Sequence, residues 1–484
     1  MKAEAFELVA GLEIHVQLLT ETKMFSAEPF EYGAPPNTLV SPVSLGLPGA
    51  LPVLNSRAVE LAVRLGLALN CTIREKNLFA RKNYFYADLP KGYQITQSDT
   101  PIAFNGYLEI LGADGQPVRI GIERIHLEED AGKSLHDQDP YETLIDFNRC
   151  GAPLVEIVSR PDIRHPREAY NYVAKIRHIV RWLGVSDGNM EEGSLRCDAN
   201  ISVRPRGARE LGTRVEVKNM NSFRHVARAI EYEYERQVQL LMSGGSVQYE
   251  TRTFDAVQGI TLPMRTKEEA HDYRYFPEPD LPPLIVSKAF VEEQKRRMGA
   301  LPDQLKAQWK VQYQLTDYEC ERLTEERPMA EYFEQLACLT TGKDAANWLL
   351  GPVSQWLNEH GYGISQFPLT SDQLAEVIAL VKAEKVSHSQ AASVLLPALC
   401  KGEGKEKKPE QLARSLGILI EHMDEQTLRH LVASVLNENP QKVAEYRNGK
   451  KGLTGFFMGE LMKKTQGKVN PRQAGIILNE LLNS

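Results

Sequence analysis

The sequence predicts an α+β protein: a mostly antiparallel sheet domain over residues 1–290, an all-helical domain over 291–400 and a small helical tail domain over 411–484. Three observations carry this. Short stretches of period-two hydrophobicity dominate up to about residue 285, each bounded by Gly, Pro, Asp or Asn. From about Ala289 that pattern gives way to helical spacing rich in Glu, Gln, Lys and Leu. The segment LCKGEGKEKKPEQ, residues 399–411, then has the Gly- and charge-rich composition of a linker.

In chain order, strands are expected at Leu8–Leu18, Tyr107–Leu111, Val118–Leu127, Thr143–Phe147, Leu154–Val158, Leu195–Val203 and Arg214–Met220. Asn55 can cap a helix with Val59, Ala62, Val63 and Leu67 on its apolar face. Pro166 can open a second helix that ends before Gly184. A third runs from about Phe223 to Met242 and stops at Gly244-Gly245. Long connections and irregular strand spacing argue for α+β rather than alternating βαβ units.

Hydrophobic residues make up 42% and charged residues 25% of 484, which excludes a disordered or fibrous chain. The net charge of -7 gives no global attraction to phosphate backbones, but residues 401–484 hold 14 Lys plus Arg against 10 Asp plus Glu. Nucleic-acid contact is therefore expected to be local to the tail. Six scattered cysteines without a C-x-x-C pair, no signal-peptide core and no run of about 18 apolar residues point to a cytoplasmic protein away from membranes.

Alternation across Leu8–Leu18 puts Glu13, His15 and Gln17 on one face. Residues two apart on a strand lie about 7 Å apart, so converging side chains can share a cation; a solvated polar face is the plain alternative. In SLRCDANISVRP, Ser194, Arg196, Asp198, Asn200, Ser202 and Arg204 alternate strictly with apolar residues. Short Asp and Asn are depleted in strands, so this face favours ligand binding over mere solvation. TRVEVKNMNSF returns as the other arm of a hairpin, with Glu216 and Lys218 on one face. HLEEDAGKS ends like a phosphate loop but has Leu127 where that loop needs glycine. Its acids Glu128 or Glu129 suggest cation ligation or a charged surface turn. Glu156, among Leu154, Val155, Ile157 and Val158, is a carboxylate where charge is costly unless paired. NYFYADLPKGYQITQ and DYRYFPEPDLPP interleave aromatics with cations, as base-stacking surfaces or turns over an aromatic core do.

These segments resemble the B subunit of the bacterial tRNA-dependent amidotransferase, GatB of the GatCAB complex. GLEIHVQL, LGLPG, YFYADLPKGYQITQ, HLEEDAGK, EEGSLRCDANISVRP, EVKNMNSF and DYRYFPEPD stand in that family's order, and VAEYRNGKKGL to LNELL resemble its tail. The resemblance implies a cradle-shaped amino domain with a kinase-like site, and a ligase that acts on Glu-tRNA(Gln) or Asp-tRNA(Asn). ATP would phosphorylate the side-chain carboxylate, and ammonia channelled from the amidase (A) subunit would displace the phosphate; a small C subunit completes the complex. It further implies Mg²⁺ ligation by Glu13, His15, Glu128 and Glu156. A nucleotide and acyl-phosphate pocket would include Lys82, Lys91, Glu191, Arg196, Asp198, Asn200, Glu216, Lys218 and Asn219. Lys450, Lys451, Lys463 and Lys464 are the expected tRNA phosphate contacts.

One departure concerns metal. Many relatives carry a four-cysteine zinc knuckle at positions held here by Ser26, Glu28, Ser41 and Ser44, and neutral hydroxyls are poor zinc ligands. No structural zinc is expected, and Phe25, Phe30, Tyr32, Pro35 and Pro36 are the candidates to hold this loop instead. A metal-dependent phosphoesterase or a noncatalytic tRNA scaffold could use subsets of the same residues.

Overall fold

A computed structural model describes residues 5–136, 138–266, 273–402, 408–420, 424–465 and 468–483. The chain forms two compact units, Met1–Leu301 and Pro302–Ser484. The expected mixture holds: a large sheet in the amino-terminal half and helices thereafter. Residues 403–407 of the expected linker and Asp272 of DYRYFPEPD lie outside the described residues.

The first unit runs β1 (Phe6–Gln17), α1 (Ser56–Ala68), β2 (Thr72–Ile73), β3 (Lys76–Asn77), β4 (Ala80–Asn83), β5 (Tyr93–Thr96), β6 (Ala103–Leu111), β7 (Pro117–Glu129), β8 (Lys133–Leu135), β9 (Leu144–Asp146) and β10 (Pro153–Ser159). It continues through α2 (Pro166–Trp182), β11 (Leu195–Pro205), β12 (Val215–Lys218), α3 (Phe223–Met242), β13 (Glu250–Asp255), β14 (Ile260–Thr266), β15 (Phe276–Pro277), β16 (Leu284–Ile285) and α4 (Lys288–Met298). A twelve-stranded sheet has the order β14-β13-β12-β11-β1-β10-β7-β5-β4-β15, with β6 on β7 and β2 on β6. Its pairs are antiparallel except β12 with β13, which α3 connects as a single βαβ crossover.

The local signals act as expected. Asn55 accepts from the backbone N–H of Arg57 and Ala58 to start α1. Pro166 opens α2, capped by His165 with Glu168 closing a capping box. Ser222 caps α3, and Gly244, at φ +83°, turns the chain away after it. Leu12, Ile14 and Val16 of β1 are fully buried, as are Cys197, Ala199 and Ile201 of β11, while α3 packs on β11 and α1 on β7. Each Leu, Ile or Val side chain buried there contributes roughly 1.5–3 kcal/mol. The opposite, polar face of these strands is left for chemistry.

The loop from Ser26 to Ser44 is held by polar anchors more than by its aromatics. Phe25 is buried and meets Phe79 edge-on at 5.5 Å. Tyr32, expected to pack, is exposed instead. Asn148 replaces it: its side chain accepts from Leu39 N at 2.8 Å and donates to Pro35 O at 2.8 Å. The fully buried Lys23 donates to Leu39 O at 2.6 Å, and Ser41 and Ser44 bond to each other.

The second unit is helical from Pro302–Gln312 to Pro471–Asn483. Leu428, Val432, Phe457, Leu461, Ile477 and Leu482 close a separate core under its last helices.

Candidate active site

Register assembles the site. His15 of β1 pairs with Glu156 of β10 on one side and with Arg196 of β11 on the other. Glu156 in turn pairs with His126 of β7. Directly paired residues share a face, so His126, Glu156, His15 and Arg196 form one polar row across four adjacent strands. Glu128, two residues beyond His126, joins the same face. His15 Nε2 lies 3.5 Å from Glu128 Oε1 and 3.3 Å from Glu156 Oε2. The three ligand atoms of His15, Glu128 and Glu156 lie within 4.8 Å of one another, a spacing that one cation can bridge.

A second acidic group stands beside it. Glu13 pairs with Asp198, Glu216 pairs with Asn200, and the carboxylates of Glu13, Asp198 and Glu216 also converge within 4.8 Å. Lys218 closes it, with Nζ 2.6 Å from Asp198 and 3.0 Å from Glu216. Burial first, then Glu156, pushes Glu13 above the usual carboxylate range, so this group gains from any cation placed nearby. Burial opposes the charged form of Lys218, yet Asp198 and Glu216 hold its ammonium above the usual range.

The two imidazoles answer the two carboxylates. Burial works against a charged His126, but Glu156 and Glu128 outweigh it and push the ring up to about 9. Burial likewise penalises ionised Glu156 and Glu128, while His126 and His15 hold both below the usual range. The charge of each of the four groups thus depends on the other three.

Cations rim the centre. Arg196 Nη2 donates to Asp130 at 2.8 Å and leaves its Nε buried without a partner. Lys82 is flanked by the Tyr273 ring at 4.9 Å and the Tyr84 ring at 5.9 Å; burial lowers its pKa but Glu128 more than restores it. Lys91 pairs with Glu129, which also accepts from Ile95 N, so Glu128 is the acid that faces the site and Glu129 the one that anchors β5. Asn200 lies on the polar face of β11. Asn219, at φ +64°, donates to Thr253 at 3.0 Å at the end of β12. Glu191 stands exposed on the turn before β11.

His126 is the residue that sequence reasoning passed over. The signal was available: on a strand, His126, Glu128 and Asp130 point the same way.

In the tail, Lys450 pairs with Glu445 at 3.0 Å and Lys464 with Glu438 at 2.5 Å. Lys451 lies over Tyr446 at 4.1 Å, and Lys463 is exposed.

A carboxylate–imidazole centre on the open face of a helix-backed sheet, in a chain with a separate helical unit, narrows the class. Residues 8–292 match the GatB/GatE catalytic domain and residues 331–482 the GatB domain. The B subunits of aspartyl/glutamyl-tRNA(Asn/Gln) amidotransferase from Thermodesulfovibrio yellowstonii and Halorhodospira halophila are 48% and 49% identical to it. The alignments cover 99% of this chain and 98% and 99% of those proteins. The chain belongs to the GatB family and is an amidotransferase subunit, a carbon–nitrogen ligase that draws its nitrogen from glutamine. No described helix is long and apolar enough to cross a membrane.

Proposed function

We propose that this chain activates the side-chain carboxylate of Glu-tRNA(Gln), Asp-tRNA(Asn) or both with ATP and exchanges it for an amide. The observation that carries the reading is the pair of acidic groups side by side on one sheet face, rimmed by Arg196, Lys82 and Lys218. Hard oxygen donors with one imidazole suit Mg²⁺ better than a thiophilic metal. Of the four expected ligands, His15, Glu128 and Glu156 would hold it, while Glu13 stands in the adjacent group with Asp198 and Glu216; the ion would offset the charge of the transferring phosphoryl group.

The chain's own groups then have distinct tasks. Arg196 and Lys82 neutralise phosphoryl oxygens, Lys218 and Asn219 orient the nucleotide, and Asp198, Asn200 and Glu216 offer acceptors to its hydroxyls. The carboxylate oxygen attacks the γ-phosphorus and ADP leaves. Ammonia then attacks the acyl carbon, phosphate departs with the bonding pair, and the nitrogen loses its proton to give the amide.

In this reading the ammonia comes from an amidase (A) subunit, a small C subunit completes a cytoplasmic heterotrimer, and the tail domain over 411–484 contacts tRNA. Of the four expected lysines, Lys463 is the readiest phosphate contact, since Lys450 and Lys464 must first leave Glu445 and Glu438.

The test supplies the purified complex with mischarged tRNA, ATP and glutamine and follows tRNA-dependent ADP and amide product. Glu13→Ala and Glu128→Ala should stop both while glutamine hydrolysis continues. Wild-type amide formation by both variants at limiting Mg²⁺ would overturn the assignment.

A further inference from the structure

We propose that His126 is a positioning residue that fixes Glu156 and Glu128 for the divalent cation, an inference that rests on the cation reading above. His126 Nε2 lies 3.3 Å from Glu156 Oε2 and 3.6 Å from Glu128 Oε2. Both neighbours of Nε2 are acceptors, so Nε2 carries a hydrogen whatever the charge of the ring. Nδ1 is buried with no partner. Leaving Nδ1 unpaired is unfavourable, so the ring's polar interactions are concentrated at Nε2.

The two histidines approach Glu156 from different surroundings. His15 is 21% exposed and His126 9%. His15, on the more open side, can turn its Nε2 lone pair to a cation. His126, on the closed side, stays at ion-pair distance from the carboxylate once His15 has changed partner. Thr96 Oγ1 supports it by donating to Glu128 Oε2 at 3.3 Å. Carboxylate ligands held by such donors keep their geometry, and loss of such a partner weakens metal binding by about 10- to 100-fold.

The probe is Mn²⁺ alone, bound to the full chain and read by electron paramagnetic resonance. Wild type, Glu156→Gln, His126→Leu, His126→Gln and His126→Asn are compared, with circular dichroism as the check on folding. His126→Leu should weaken Mn²⁺ binding about 10- to 100-fold and change the zero-field splitting. His126→Gln, whose amide N–H reaches as far, should recover much of the affinity, and His126→Asn, which is shorter, should not. If His126→Leu does not fold, the Gln and Asn variants carry the comparison, and equal affinity in those two overturns the proposal. Wild-type affinity in all His126 variants, with Glu156→Gln impaired, overturns the role of His126 alone. Wild-type affinity in Glu156→Gln overturns the cation reading beneath it.

Discussion

Glu278 lies outside the site, yet removing it should disturb the site. Its carboxylate, fully buried, receives two bonds from Arg81, Nε at 2.7 Å and Nη2 at 2.8 Å, and the Arg81 side chain is only 19% exposed. Removing one partner of a buried pair costs about 3–5 kcal/mol. Part of that is returned here, because Asp280 remains 3.2 Å from Arg81 and the Tyr93 ring 4.2 Å away. Glu278→Ala should therefore cost about 2–3 kcal/mol, felt first where β15 pairs with β4 through Phe276–Arg81 and Pro277–Ala80. At about tenfold per 1.4 kcal/mol, amide hydrogen exchange of peptides 79–83 and 273–280 should quicken by about 30- to 140-fold. Amide formation should fall as well, since Lys82, the next residue on β4, loses the Tyr273 ring beside it. A double replacement, Arg81→Met with Glu278→Leu, should restore slow exchange, because an apolar pair leaves no buried charge unmatched. Unchanged exchange in Glu278→Ala, or a double variant that is worse than either single one, would refute the reasoning.

Three further outcomes are expected. Burial pushes the Cys71 and Cys150 thiols up to about 12, so at pH 8 roughly one in ten thousand is thiolate; iodoacetamide followed by mass spectrometry should label exposed Cys338 first and those two only after denaturant. Burial opposes an ionised Asp130, but Arg196 and Arg149 hold its pKa below the ordinary 3.8. Its contribution to stability is thus present above that value and lost as pH falls through the folded one; Asp130→Asn should be less stable at pH 7 and lose less on acidification, as urea midpoints would show. Metal analysis should find no chelator-resistant zinc per chain, and Asn148→Ala, not chelator, should open residues 26–44 to protease.

Much of the site was legible because strand alternation is local information. Glu13 with His15, and Arg196 with Asp198 and Asn200, could be placed on faces without knowing their neighbours. Glu156 was legible through cost, a carboxylate in an apolar run that required partners. Register is what local patterns do not contain. That His15 stands between Glu156 and Arg196, and that His126 completes the row, follows only from β1 lying between β10 and β11. Two-residue strands such as β15 have too little length to show a period, so the Arg81–Glu278 tie had no signature. In the tail, the local charge excess was readable, but not that Lys464 reaches Glu438 of an earlier helix.

The first strand of the chain is also an interior strand of the sheet, with β10 and β11 as its partners. On the ribosome, FELVAGLEIHVQ emerges long before either partner has been made. At about 5–20 residues per second, β10 is complete roughly 7–28 s later. During that interval an apolar strand has both edges open, the condition in which a nascent chain most needs a holding chaperone. The polar row cannot exist until Leu195–Pro205 has been synthesised, so no shorter amino-terminal fragment of this chain can carry the complete centre.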